Sequence, residues 1–199
     1  MSNFIRGNAI AEDDWQLIRL PAIEETIKKQ AGKVVVFKLT GAASATDEQI
    51  ASTEIPAGKV IVPLSIWLAR KNEFAARVAA GELGVWLETH ELIESLIADT
   101  PDVNIFKIIA VHFERFADGR GYSIATMLRL RYGYKNELRA FGDVLRDQLF
   151  LMKRCGFNAY QIRADRSAED ALPSLQDFSE PYQGAVDITQ PLWRRHVRA

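Results

Sequence analysis

The sequence predicts an α/β protein: about five βα units forming a partial TIM-barrel-like or open parallel sheet, preceded by a short N-terminal β-hairpin. Three observations lead there. From Lys59 onward, short apolar runs alternate with helical stretches, the pattern of consecutive βαβ units. The run Ile105 to Phe113 is apolar almost throughout, as expected of a strand covered on both faces. The 199 residues suit one domain but fall short of the roughly 250 that a complete eight-unit barrel needs.

Phe4 to Ile10 reads as two short strands around the turn Gly7-Asn8. Ile23 to Gln30 is expected as a short helix ending at Gly32, and Lys33 to Leu39 alternates as a strand. Small polar residues dominate 40–58, read as a loop with one helical turn at Asp47 to Ala51. The chain thus divides into a hairpin and short helix (1–32), a variable strand and loop (33–58), a βα core (59–178) and a tail (179–199).

The core opens with the strand Val60 to Leu64, and Ser65 stands where it can cap a helix running to Ala80, closed by Gly81. Leu83 to Leu87 is the second strand. Thr89 is placed to cap a helix through Ala98, with Leu92/Leu96 and Ile93/Ile97 as i,i+4 pairs. After the strand 105–113 come a helix from Tyr122 to Arg131 and a strand from Glu137 to Phe141. Asp143 to Cys155 reads as a helix capped by Asp143 and closed by Gly156. Asn158 to Ile162 is a fifth strand and Ala168 to Phe178 a last helix.

Composition excludes whole classes of protein. A hydrophobic share of 48% supplies a core and rules out a disordered chain. The single cysteine, Cys155, excludes an internal disulfide, dithiol redox chemistry and cysteine-rich metal clusters. With no signal-peptide pattern at the first residues, it favours the cytoplasm as the expected location. No apolar run approaches the roughly 18 residues of a membrane span. The net charge of −1 argues against nucleic-acid binding, but it hides an asymmetry. Residues 1–117 hold 12 basic and 16 acidic residues, 118–166 hold 10 and 5, and 167–199 hold 3 and 5.

The basic block contains the chemistry-bearing segments. In Asp118-Gly119-Arg120-Gly121-Tyr122-Ser123, two glycines surround an arginine between a strand and a helix. Exposed backbone N–H groups, the helix N-terminus and Arg120 could hold a small oxyanion. Alternatively the glycines only make a tight connection, and Asp118 caps the turn or binds the arginine. Arg139 lies inside a strand, so it must be paired if that strand is central, and Glu137 shares its face. Asp143 and Asp147 are four apart with Arg146 between them; they could bind a cation, do acid–base work or simply cap and complement a helix. Cys155 reads as a buried structural thiol, His112 as a hydrogen-bonded core histidine, and no two histidines are close enough in sequence to suggest a metal cluster. No nicotinamide, P-loop or serine-elbow motif is present, so the sequence names no cofactor.

The block from Phe113 to Phe157 resembles an uncharacterised bacterial family whose members are described as oxidoreductases involved in sulfite reduction. The match is carried by the 118–123 string, Leu128-Arg129 with Arg131, Glu137-Leu138-Arg139-Ala140, Gly142-Asp143-Val144-Leu145-Arg146-Asp147-Gln148-Leu149 and Arg154-Cys155-Gly156-Phe157. Val60 to Leu68, Leu83 to Glu88 and Gly7 to Trp15 are also similar. The glycine turn at 118–123 is similar, too, to one in cyclic-dinucleotide phosphodiesterase barrels, whose metal-binding carboxylates and catalytic lysine have no counterpart here. The resemblance implies a role in assimilatory sulfite reduction, as enzyme or accessory, with sulfite reductase components as partners. On that reading Gly119, Arg120, Gly121, Tyr122 and Ser123 bind an oxyanion at the strand C-terminal ends. Arg139 and Arg146 assist, and Asp118, Asp143 and Asp147 position them. The competing reading is a non-enzymatic module that docks an acidic reductase subunit or forms a homodimer. Convergence of Asp118, Arg120, Arg139, Asp143 and Arg146 on one cleft would favour the first.

Overall fold

The computed structural model describes residues 3–21 and 37–195. Its strands are β1 (Phe4–Arg6), β2 (Ala9–Ile10), β3 (Gln16–Leu17), β4 (Val60–Pro63), β5 (Leu83–Glu88), β6 (Ile108–Phe113), β7 (Glu137–Gly142) and β8 (Ala159–Gln161). They form one mixed sheet in the order β2-β1-β8-β7-β6-β5-β4-β3. From β3 to β8 each strand lies parallel beside the next in the chain. The hairpin β1–β2 returns antiparallel along β8. The result is an open, curled half-barrel, as the βα alternation predicts.

Winding in one sense carries the crossover helices to one face, because such connections are right-handed. After a short helix before β4, α1 (Asp47–Ser52), these helices are α2 (Leu64–Arg70), α3 (Ala75–Ala80), α4 (Ile93–Asp99), α5 (Arg120–Leu130) and α6 (Leu149–Cys155). Alternate strand residues such as Val62, Val85, Val111, Leu138 and Ala140 belong to the larger core on that side. The intervening residues turn to the concave face. There Ile61, Trp86, Ile108, Ala110 and Phe141 make a second cluster, covered by Trp15 and Leu17. The apolar run of β6 is thus explained: both of its faces are packed.

Several boundaries differ from the sequence reading. The helix expected from Ser65 to Ala80 begins at Leu64 and is interrupted by a 3₁₀ turn, Lys71–Phe74. Ser65 makes no cap hydrogen bond. Thr89 does not cap a helix, since its hydroxyl donates to Asp118 and α4 starts after Leu92. The helix expected from Asp143 begins only with a 3₁₀ turn, Arg146–Gln148, leading into α6. Gly142 has left-handed φ, which breaks the path from strand to helix, and the Gln148 side chain instead accepts from the Leu145 N–H. β6 begins at Ile108 because Val103–Ile105 is a 3₁₀ turn. The last expected helix shortens to α7 (Ala168–Ala171) with a 3₁₀ extension containing Pro173. The expected helix at 23–30 and residues 33–36 of the expected strand lie outside the described residues, and 37–39 form no strand.

Candidate functional site

Parallel pairing places Glu88 of β5 directly opposite His112 of β6, both on the concave face near the strand C-terminal ends. Glu88 Oε2 lies 2.8 Å from His112 Nδ1. A carboxylate can only accept, so the imidazole donates through Nδ1–H and turns Nε2 outward. The ring is held on two sides. It stacks on Phe141 at 4.8 Å and meets Trp86 edge-on at 5.7 Å. Nε2 makes no hydrogen bond among the described residues.

The ring borders a cleft of about 170 Å³ at the carboxyl edge of the half-barrel. Two cations line it, beside the carboxylates of Glu88, Glu91 and Glu114. Arg19 sits 5.4 Å over the Phe141 ring, and neither it nor Lys38 has a carboxylate partner among the described residues. Ser44 donates its hydroxyl to Glu91 Oε1 at 2.8 Å and lies 3.2 Å from His90 Nε2. The other Glu91 oxygen accepts the Glu88 N–H at 2.8 Å. Burial pushes the Glu91 carboxyl up and the His90 imidazole down, so this inner wall favours neutral groups. It is not a nucleophile triad, because the acid contacts the serine and not the imidazole Nδ1.

None of the sequence-predicted residues lines this cleft; they lie in separate environments. Asp118 and Arg120 pair with each other through Arg120 Nε and Nη2 at 2.9 and 2.7 Å. Arg120 Nη1 donates to the Lys38 carbonyl and the Thr40 hydroxyl. Asp118 also accepts the Arg120 N–H, so a resident carboxylate occupies the turn where an external oxyanion was expected. Gly121 lets α5 approach the Phe113 ring: a Cβ there would come within 2.6 Å of it. Tyr122 packs on the same ring, and Ser123 lines a shallow surface depression. Asp143 accepts the Phe116 N–H and pairs with Arg163. It is therefore a loop brace, not one half of a helical carboxylate pair with Asp147. Arg139 is buried on the concave face against Glu137 and Asp13. Arg146 and Asp147 line another cavity. No hydrogen bond or ion pair joins Asp118–Arg120, Asp143–Arg163 and Arg139 to one another among the described residues. Cys155 is half-buried, and burial pushes its thiol up.

Burial acts against the Asp118 carboxylate, but Arg120 and the Thr89 hydroxyl outweigh it and hold the pKa at about 2. A depressed folded-state value stabilises the fold above the unfolded value near 3.8 and is lost as pH falls towards the folded one. Acid titration from about pH 5 to pH 2 should therefore remove about 2 kcal/mol of stability through this group. In Asp118→Asn that part of the pH dependence should vanish from urea midpoints measured across the same range.

Sequence reasoning missed Glu88 and took His112 for a core side chain. Their shared signal is positional. Each lies at or next to the end of an adjacent parallel strand, and aligning β5 on β6 brings them together.

Fold and cleft together define a half-barrel α/β protein whose polar opening lies where such sheets place ligands, outside the strand C-terminal ends. The chain belongs to the family described as bacterial protein of unknown function (DUF934), which matches residues 84–193. That span runs from β5 to the terminal helix α8 (Leu192–Arg195) and includes Glu88 and His112. No curated protein and no solved structure matches the chain. Among the described residues no helix is long and apolar enough to cross a membrane, and no cluster of three or more His, Cys, Asp or Glu side chains is arranged to hold a metal.

Proposed function

We propose that this protein is a cytoplasmic enzyme or accessory protein of assimilatory sulfite reduction, and that its ligand is a small oxyanion held in the concave cleft. One observation carries the reading: His112 Nε2, Arg19 and Lys38, none engaged by a carboxylate, meet the same cleft at the carboxyl edge of the sheet. The two cations supply charge. The imidazole, its Nδ1–H held by Glu88, turns Nε2 to the ligand as a hydrogen-bonding partner. A volume of about 170 Å³ suits an ion of the sulfite or sulfate type; drug- and cofactor-sized ligands use roughly 300–1,000 Å³. The choice of sulfite comes from the resemblance of 113–157 to a family described by that role. Calorimetric titration should show saturable binding of sulfite, weakened about tenfold or more in His112→Gln, the cost of one charge-assisted hydrogen bond. Absence of heat with sulfite, sulfate and phosphate alike would refute it. Deleting the gene should cause a sulfur requirement relieved by sulfide or cysteine, and normal growth on sulfate would count against the pathway.

A second reading, a docking module for an acidic reductase subunit or a second copy of the chain, is favoured by exposed Leu151, Phe178, Tyr182 and Trp193. Monomeric sedimentation, with no reductase retained on the immobilised chain, would dispose of it.

A further inference from the structure

We infer that a second cavity, between the loops that follow β7 and β8, binds a zwitterionic α-amino acid with an apolar side chain. The cavity measures about 430 Å³, more than twice the concave cleft, and shares none of its lining residues. Its apolar lining comprises Leu145, Ile162 and Ala171, the last two buried. Its charges are two of each sign: Arg146 and Arg166, Asp147 and Asp170.

These charges are not spent on one another. Among the described residues no ion pair joins any two of the four, and Arg146 makes no side-chain hydrogen bond. Arg166 has only a long contact to Asp165, 3.6 Å, outside the cavity. Opposite charges that line a common space without closing on each other leave it polar in both senses. A simple anion entering it would meet Asp147 and Asp170, and a simple cation would meet Arg146 and Arg166. A ligand carrying both charges a few bonds apart meets groups of both signs. An α-carboxylate takes the forked guanidinium geometry, an α-ammonium donates to the carboxylates, and the apolar lining receives the side chain. The reading stands on this cavity alone and is independent of what occupies the concave cleft.

The test uses the full chain, labelled with ¹⁵N and titrated with L-alanine, L-valine, L-leucine and L-methionine. At least one should produce saturable amide shifts confined to residues 145–147, 162 and 166–171. For that amino acid, the N-acetyl derivative, which lacks the cation, and the amide, which lacks the carboxylate, should each bind about tenfold more weakly or worse. Arg146→Leu and Asp170→Asn, both at exposed positions, should each weaken binding to a similar degree and leave the rest of the spectrum in place. No saturable shift with any of the four at roughly 10 mM overturns the proposal. So does equal binding of the free, acetylated and amidated forms, because the site would then be reading only the side chain.

Discussion

Replacing Arg139 with methionine should lower the free energy of unfolding by about 3 kcal/mol, at the lower end of what unpairing a buried charge costs. The guanidinium is 2% exposed. It donates through Nε to Glu137 Oε1 at 2.9 Å, and through Nη1 and Nη2 to both oxygens of Asp13 at 2.7 and 3.1 Å. Its central carbon lies 4.4 Å from the centre of the Phe4 ring. Methionine fills much of the volume but leaves two carboxylates facing an apolar floor. The loss is moderated because Glu137 keeps Arg6 at 2.8 Å and the Asp13 side chain, 22% exposed, can turn to water. The urea midpoint should fall with little change in slope, and the thermal midpoint by roughly 6–12 °C. Arg139→Lys should fall between wild type and methionine, since it keeps the charge and loses the fork. A loss below about 1 kcal/mol for methionine would mean that the pairing is offset by its own desolvation.

Arg139 also marks how far the sequence could be read. Strand alternation put Glu137 on its face, and Glu137 is one of its partners. Asp13 lies 126 positions away and reaches Arg139 only because the N-terminal segment crosses the concave face, which no local pattern encodes. Part of the basic block at 118–166 is spent inside the fold for the same reason. Arg139 is neutralised by Asp13 and Arg154 by Asp187, both from outside the block, while Arg129 is spent on the carbonyls of Tyr134, Asn136 and Gly156. The βα order was legible because each unit is local in sequence and consecutive strands became neighbours. The cleft was not, because it depends on the register between β5 and β6, and register is a property of the assembled sheet.

Gly142→Ala should cost about 3–5 kcal/mol and abolish the proposed oxyanion binding in the fraction that still folds. Gly142 ends β7 at φ +100°, a conformation that side-chain-bearing residues rarely adopt. It also faces the candidate site. A Cβ there would stand 2.7 Å from His112 Cδ2 and 3.0 Å from Nε2, and nearer still to the Phe113 carbonyl oxygen. The imidazole has little freedom to give way, being fixed by Glu88 at one nitrogen and enclosed by Phe141 and Trp86. Either the end of β7 moves or the ring is forced from its place, and both displace Nε2 from the cleft. Two other glycines separate the causes. Gly119 has negative φ and nothing within 4 Å of its virtual Cβ, so Gly119→Ala should be nearly silent. Gly133 has φ +64° and equally open surroundings, so Gly133→Ala reports backbone strain alone, about 1 kcal/mol. Chemical denaturation of the three variants should rank them in that order, with Gly142→Ala well beyond Gly133→Ala. Equal losses at 142 and 133 would show that backbone conformation, and not the close approach to His112, is what glycine serves at the end of β7. The sulfite titration then decides whether the histidine was displaced, since strain confined to the backbone would leave binding in the folded fraction unchanged.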